Sequence, residues 1–382
     1  MEQQRNKTVS IIYAILYLLL GASLGLCIVF TADLDKMLDT GIGSFLIWYG
    51  LYIFLFVIVL FAEIIIHESG HLVFGLLSGY RFLSFRIGSF MLLKREGKIL
   101  FRKLKVAGTG GQCLMGPPEY RDGEYPYLLY NLGGCLMNLI TSVLFFCLYL
   151  LLRNIPVLNT VLLCLVVCGI FYALLNGIPM QTKDVPNDGY NALRTGDSQE
   201  AKKSFWTQLK ISEYNAEGKR MSDMPEELFF LPSDSNKTNA VVNSSAVFFE
   251  NRLMSSRNYC DANIVCHQFL EGDYNLPGIH WNVLQCDRIT TDILLENGKC
   301  TREGLMSKEA QDYFKKLQES LTVLRTKYIV SLFLGKDEKE TDSYLQKFEK
   351  VAAHYPNEED VLDERGLMKL LKEKLAAKTE QN

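Results

Sequence analysis

A short polar motif, His67-Glu68-Ser69-Gly70-His71, interrupts an otherwise apolar stretch of the chain. Residues four apart in a helix lie on one face, one turn apart, so both imidazoles can reach the same metal ion. Glu68 lies about 100° around the helix from His67, where its carboxylate can contact a water on the metal rather than the metal itself. The spacing is therefore typical of a metal site at which a carboxylate acts as general base.

Two imidazoles need a third ligand, and a carboxylate completes a set that suits zinc. Such a set leaves one position open for water and lowers the pKa of that water to about 7. Asp188, in Asn187-Asp188-Gly189, is the candidate because it follows the last long apolar segment. An Asp-Gly pair alone is typical of a turn, and Asp184 is the alternative third ligand.

Four apolar segments must position these residues, and each is long enough to span a bilayer, which needs about 20 residues. They are Ile11–Phe30, Phe45–Leu77, Leu132–Leu152 and Val157–Ile178. The motif lies in the second segment, where each ionised side chain costs at least about 2.5 kcal/mol and usually marks a functional site. Because the second and fourth segments are predicted to end on the same side, Asp188 can return to the two histidines.

Basic residues set the predicted orientation. Arg5 and Lys7 precede the first segment, which is too long for a signal peptide and is interpreted as an anchor. The first loop holds Lys36 among several aspartates, and the third loop holds Arg153 alone, whereas the second loop is strongly basic. We therefore predict a multi-pass protein of the cell membrane whose chain after Ile178 is cytosolic. Ten cysteines without CxxC spacing are interpreted as reduced thiols, which fits the reducing environment of the cytosol.

Composition separates the chain into unlike halves. It has 382 residues, of which 48% are hydrophobic and 22% charged, and a formal net charge of -3. Residues 1 to about 180 hold the apolar runs, and residues 181 to 382 are polar. This excludes an ordinary soluble enzyme, a disordered chain and a collagen-like chain. The near-neutral charge gives no indication of nucleic-acid binding.

The basic loop between the second and third segments contains a predicted β-hairpin. Its first strand is Ser84–Leu93, its turn includes Gly97, and its second strand is Ile99–Val106. An exposed edge would pair with an extended substrate; alternatively, the hairpin would lie on lipid headgroups through its basic residues. Gly108-Thr109-Gly110-Gly111 lacks the Lys of a phosphate-binding loop and is predicted to be a flexible turn.

The polar half shows helical spacing of apolar residues. The predicted helical pieces are Ala240–Leu270, Pro277–Asn297, Ser307–Leu334 and Glu338–His354, with one charged helix after Pro356. Paired helices around Gly272-Asp273-Tyr274 resemble tetratricopeptide-type repeats, which present concave surfaces to protein partners.

Three elements together resemble the site-2 protease family of intramembrane zinc metalloproteases, peptidase family M50. They are the HESGH helix, Gly133-Gly134-x-x-x-Asn138 in the third segment, and Asn176-x-x-Pro179 followed by Asp188-Gly189. The resemblance covers residues 45 to 195, the three-helix catalytic core of that family. The spacing from Asn176-x-x-Pro179 to the Asp-Gly pair is longer here than in many family members. Asp184 therefore remains the alternative third ligand.

The resemblance implies a role for each matching residue. It implies that His67, His71 and Asp188 bind zinc and that Glu68 activates water. Asn138 matches an asparagine thought to hold substrate or the developing oxyanion; a helix–helix hydrogen bond is the alternative.

Glu63 lies one turn before His67 on the same helix face. There it is placed to accept the second ring N–H of a ligand histidine. A carboxyl that faces an aqueous cleft, or that is paired elsewhere, is the alternative.

These observations predict an all-α membrane protein with about four transmembrane helices, a three-helix core of site-2 protease type and a small β-hairpin. A cytosolic, α-helical, tetratricopeptide-like domain follows. The predicted boundaries are 1–44 for the tail, first transmembrane helix and outer loop, 45–195 for the metalloprotease core, and 196–382 for the helical domain.

The implied activity is zinc-dependent hydrolysis of a peptide bond within or near a membrane-embedded segment. The helical domain would recruit the substrate or a cytosolic protein partner. One alternative is a non-catalytic membrane scaffold, against which the intact Glu68 argues because a scaffold needs no general base. Another is a transporter, against which the lack of an evident inverted repeat argues.

Overall fold

The computed structural model of the protein describes residues 2–31, 41–104, 106, 109–152, 155–182 and 184–380. The chain divides into two compact units. The first comprises Met1–Phe82, Gly110–Cys113 and Tyr125–Arg194, and the second comprises Leu83–Thr109, Leu114–Glu124 and Thr195–Asn382. Lys36 and Arg153, on which the predicted orientation partly depends, lie outside the described residues.

Five helices of the first unit lie within the residues that the structure describes. They are α1 (Glu2–Thr31), α2 (Ile42–Leu77), α3 (Tyr127–Leu151), α4 (Pro156–Gly177) and the short α5 (Asp188–Thr195). Helices α1 to α4 are long and apolar enough to cross a membrane, so the four predicted segments correspond to four candidate spans. Helices α2, α3 and α4 pack against one another, and α1 packs against α4.

Helices α2 and α3 touch backbone to backbone at one pair of glycines. A Cβ atom on Gly70 would lie 2.3 Å from the carbonyl oxygen of Gly133, and a Cβ on Gly133 would lie 2.7 Å from that of Gly70. Small residues allow such close approach in membrane bundles, where lipid supplies no hydrophobic drive between helices. The contact brings the motif face of α2 within hydrogen-bonding distance of α3.

The loop between α2 and α3 forms a four-stranded sheet. Its strands are β1 (Arg81–Ile87), β2 (Phe90–Arg95), β3 (Lys98–Lys103) and β4 (Gly111–Gly116), in the order β3-β2-β1-β4. Strands β1 and β2 pair antiparallel, as do β2 and β3. A sheet of four strands therefore replaces the single predicted hairpin.

The prediction of one strand over Ser84–Leu93 is wrong. The chain turns at Gly88, whose φ of +59° is a conformation that glycine adopts readily. Arg86 on β1 then lies opposite Met91 on β2, and both side chains are buried. The alternation of apolar and polar residues continues across this turn, so the sequence did not indicate it. The turn predicted at Gly97 is present, with positive φ at both Glu96 and Gly97.

The prediction of a flexible turn over Gly108-Thr109-Gly110-Gly111 is wrong at Gly111, whereas Gly110 does lie at a bend. Gly111 is the first residue of β4, while Gly108 lies outside the described residues. Strand β4 was not predicted because its sequence, Gly-Gln-Cys-Leu-Met-Gly, is short and begins and ends in glycine, a residue depleted in strands.

The second unit is mostly helical. Its helices are α6 (Gln199–Ala216), α7 (Ala240–Ser255), α8 (Tyr259–Glu271), α9 (Gly278–Leu295), α10 (Arg302–Met306), α11 (Lys308–Lys316), α12 (Leu321–Leu334), α13 (Glu338–Ala352) and α14 (Glu358–Glu380). Neighbouring helices pack in sequence, as α7 does on α8 and α12 on α13. An apolar cluster of the described residues includes the fully buried Leu324, Ile329, Phe348 and Leu371. The tetratricopeptide-like character stays a prediction.

Two predicted helical pieces are each two helices. Ser307–Leu334 divides into α11 and α12, because the chain leaves the helix at Leu317 and Ser320 caps the next one. Ala240–Leu270 divides into α7 and α8. The chain breaks at Arg257, whose φ is +59°. Asn258 then caps α8, because its side chain accepts a hydrogen bond from the backbone N–H of Asp261. The charged helix predicted after Pro356 is α14.

Candidate metal centre

Three potential metal ligands meet in the first unit. His67 Nε2 lies 2.9 Å from Asp188 Oδ2, and His71 Nε2 lies 3.3 Å from the same oxygen. The two Nε2 atoms are 3.3 Å apart. A tetrahedral zinc ion with ligands at about 2.0 Å holds them about 3.3 Å apart, so the donor set and its spacing fit zinc. Within the described part of the chain, no other group of three His, Cys, Asp or Glu side chains converges in this way.

Each histidine is held by its second ring nitrogen. His71 Nδ1 donates to the backbone carbonyl oxygen of Tyr130, 2.8 Å away, which leaves the Nε2 lone pair for a metal. His67 Nδ1 lies 2.7 Å from Asn138 Oδ1. Both imidazoles are buried, so these bonds are shielded from water.

Asp188 reaches the histidines through a compact loop between α4 and α5. Asn187 closes this loop through both ends of its side-chain amide. Its hydrogen bonds run from Met180 N and Tyr190 N to Oδ1, and from Nδ2 to Leu175 O and Ile178 O. The sequence analysis noted a long segment between Pro179 and Asp188. These bonds fold that segment back on the end of α4. Asp188 becomes the first residue of α5, directly beside the motif.

The charge of Asp188 suits a cation site. Burial opposes its ionisation, but the adjacent imidazoles of His71 and His67 outweigh that cost and hold the pKa of the carboxyl below its usual range. Asp184, the alternative third ligand, is not part of the converging group.

Glu68 is buried next to the start of β4. A Cβ atom on Gly111 would lie 2.6 Å from Glu68 Oε1, so the strand passes directly against this carboxylate. Burial, together with the negative charge of Glu68, raises the pKa of the neighbouring Cys113 to about 12. Cys113 is therefore a neutral thiol at physiological pH rather than a candidate thiolate ligand.

Asn138 lies between α2 and α3 and is fully buried. Its Nδ2 donates to Glu63 Oε2, 2.7 Å away, while its Oδ1 faces His67. The helix–helix hydrogen bond weighed in the sequence analysis is therefore present. Glu63 contacts this asparagine, and through it the histidine.

Two residues of the site were missed from the sequence, Tyr130 and Asn187. Tyr130 contributes a backbone carbonyl, which every residue type carries, so no sequence signal exists for it. Asn187 had a signal, because asparagine directly before an Asp-Gly pair favours a helix start.

Comparison with known families matches residues 55–352 to the model described as Peptidase family M50. The match spans most of the chain, includes all three converging residues, and extends into the second unit. No curated protein and no solved structure matches the chain.

Proposed function

The chain belongs to peptidase family M50, a family of membrane metalloproteases, and from this premise we propose that it is an intramembrane zinc endopeptidase of the site-2 type. It would hydrolyse a peptide bond within or near a membrane-embedded segment of its substrate. The observation that carries the proposal is the convergence of His67, His71 and Asp188 beside helices able to cross a bilayer.

The ligand atoms would be the two histidine Nε2 atoms and Asp188 Oδ2. When bound there, zinc supplies a Lewis acid that polarises the scissile carbonyl and favours ionisation of water. Glu68 would take the proton from the attacking water on its carboxylate and then donate it to the leaving amide nitrogen. The burial of Glu68 keeps bulk solvent from competing for that proton.

Strand β4 supports an extended substrate at this site. It is an outer strand of the sheet, and its first residue, Gly111, lies against Glu68. A peptide must be extended for its carbonyl to be attacked, and a strand can hold one through backbone hydrogen bonds. We propose that the unwound part of the substrate lies along β4.

The predicted domain boundaries and orientation remain part of the proposal. Residues 45–195 would form the catalytic core, and residues 196–382 would form a cytosolic domain that binds the substrate or a partner protein. The lipid bilayer is the medium in which the substrate meets the core.

The test replaces Glu68 by Gln in the full-length protein. Purified wild-type protein and Glu68→Gln should each carry one zinc per chain. Cells that express Glu68→Gln should accumulate uncleaved membrane precursors that wild-type cells lack. The substitution removes the proton acceptor needed for cleavage but none of the three zinc ligands. Ser69→Ala is the matched control, since the Ser69 hydroxyl donates to Ile65 O on its own helix and to no other of the described residues.

Two results would reject the proposal. One is wild-type protein that carries no stoichiometric metal. The other is an identical peptide pattern in wild-type and Glu68→Gln cells, which would favour the non-catalytic scaffold.

A further inference from the structure

A buried chain of side-chain hydrogen bonds links α2 to α3 and back to α2. Glu63 Oε2 accepts from Asn138 Nδ2 at 2.7 Å, and Asn138 Oδ1 lies 2.7 Å from His67 Nδ1. Glu63 and Asn138 are fully buried, and His67 is nearly so. Neither Glu63 nor Asn138 reaches the metal position directly.

The orientation of the Asn138 amide follows from its surroundings. Besides the Glu63 carboxyl, the backbone carbonyl oxygen of Glu63 lies 3.4 Å from Asn138 Nδ2. A backbone carbonyl can only accept a hydrogen bond. The amide nitrogen must therefore face Glu63, and the amide oxygen must face His67.

That orientation determines the tautomer of His67. Asn138 Oδ1 can only accept, so His67 Nδ1 must carry the proton. A neutral imidazole has one donor and one acceptor nitrogen, so Nε2 keeps its lone pair. His67 Nε2 is the atom that lies 2.9 Å from Asp188 Oδ2.

We propose that Glu63 and Asn138 are positioning residues, which fix the tautomer and ring orientation of His67 so that Nε2 faces the metal. This rests on the proposed function only in so far as His67 is a zinc ligand; it does not require cleavage. Asn138 then serves metal binding instead of oxyanion stabilisation.

The placement of Glu63 in a membrane-spanning helix supports a specific role. A carboxyl within a span is costly and persists where it serves a site. Helix α4 also leaves space for it, because a Cβ atom on Gly169 would lie 3.3 Å from Glu63 Oε2 and 2.2 Å from Ser142 Oγ. The three core helices thus all contribute to the surroundings of this carboxyl.

The two histidines differ in a way that makes the proposal testable. His71 is oriented by the backbone carbonyl of Tyr130, which no substitution of a side chain removes. The Nδ1 atom of His67 is held by a side chain instead, that of Asn138, which in turn bonds Glu63. Substitutions at Asn138 and Glu63 should therefore weaken one ligand and leave the other in place.

The experiment measures the zinc Kd of purified full-length protein by competition with a chelator. Asn138→Leu should raise the Kd about 10–100-fold, the usual cost of losing a partner of a ligating histidine. Glu63→Leu should raise it in the same direction. Glu63→Gln should stay close to wild type, because its amide oxygen still accepts from Asn138 Nδ2.

Ser142→Ala is the matched control. Ser142 is buried on the same helix and donates to the backbone oxygen of Asn138, not to its amide side chain. We expect it to keep the wild-type Kd. Cobalt-substituted Asn138→Leu should also show an altered visible spectrum, which a structural effect elsewhere would not cause.

The outcomes separate the alternatives. An unchanged zinc Kd in both Asn138→Leu and Glu63→Leu would overturn the proposal. If Asn138→Leu also lowered kcat at that unchanged zinc Kd, the result would indicate that Asn138 stabilises the oxyanion. If Asn138→Leu does not fold, the contrast between Glu63→Leu and Glu63→Gln decides. A protein that binds zinc with this pattern but cleaves nothing would reject the proposed function alone.

Discussion

The imidazole of His67 lies directly against the backbone of Gly134, where a Cβ atom would come within 2.5 Å of ring atoms Cε1 and Nε2. The preceding residue, Gly133, makes the backbone contact with Gly70. The two glycines of α3 therefore have different tasks. Gly133 sets the distance between α2 and α3, and Gly134 leaves room for the imidazole of His67.

Gly134→Ala should disrupt the metal centre. The added methyl group overlaps the ring of His67, and both the ring and the backbone are held by packing, so the ring must leave its position. We expect the zinc Kd to rise at least about tenfold, as for the loss of a partner that orients a ligand. Metal content of purified protein measures this. Gly50→Ala on α2 is the control, because nothing lies within 4 Å of its Cβ position; equal zinc content in the two variants would contradict the prediction.

Gly111→Ala should impair catalysis and leave the metal bound. Its Cβ would overlap Glu68, whereas none of the atoms nearest to it belongs to His67, His71 or Asp188. Displacing a general base costs on the order of 100-fold in turnover. Gly110→Ala is the neighbouring control, since its Cβ would meet only the end of the Ile64 side chain, 3.2 Å away. Full turnover in Gly111→Ala would show that Glu68 tolerates the displacement.

Asp188→Asn and Asp184→Asn should separate the two candidates for the third ligand. Asp188 Oδ2 lies within 3.3 Å of both histidine Nε2 atoms, and Asp184 is outside the group. Asp188→Asn replaces a charged ligand by a neutral amide and should lose most of the bound zinc. Asp184→Asn should keep it. The opposite pattern, measured as zinc per chain, would assign the third ligand to Asp184.

The parts of the fold that the sequence predicted correctly are those with a strong physical signal. Four spans follow from long apolar runs, and the matching of His67 with His71 follows from helical spacing. Asp188 was proposed because it follows the fourth apolar segment, which was predicted to end on the same side as the second. These features depend on the composition and period of the sequence, which are local properties.

The parts that were missed depend on three-dimensional neighbours. The turn at Gly88 was hidden because apolar alternation continued across it. The two alternatives for Glu63 could not be resolved from the sequence, because Asn138, on another helix, lies between Glu63 and His67. Strand β4 has little strand character of its own, and Gly111 is required there by the bulk of Glu68. The turn at Gly88, the partner of Glu63 and strand β4 are all determined by packing between elements. Such packing leaves no local signal in a single sequence.

A last prediction concerns the stability of the second unit. Arg325 is buried, and its guanidinium bridges Asp287 at 2.5 Å and Glu364 at 2.9 Å. Arg325→Met would leave two carboxyl groups without their cation in a desolvated interior. Breaking such a pair from one side costs about 3–5 kcal/mol of unfolding free energy.

Arg365→Met is the matched control for Arg325→Met. Arg365 pairs with Glu349 on the surface, where both side chains are nearly half exposed. Losing an exposed pair costs about 0–1 kcal/mol, because water already solvates both charges. Pulse proteolysis of the full-length protein across a urea series measures both variants. We expect a clearly lower midpoint for Arg325→Met only; equal midpoints would mean that the buried carboxyl groups find protons or other partners when the arginine is removed.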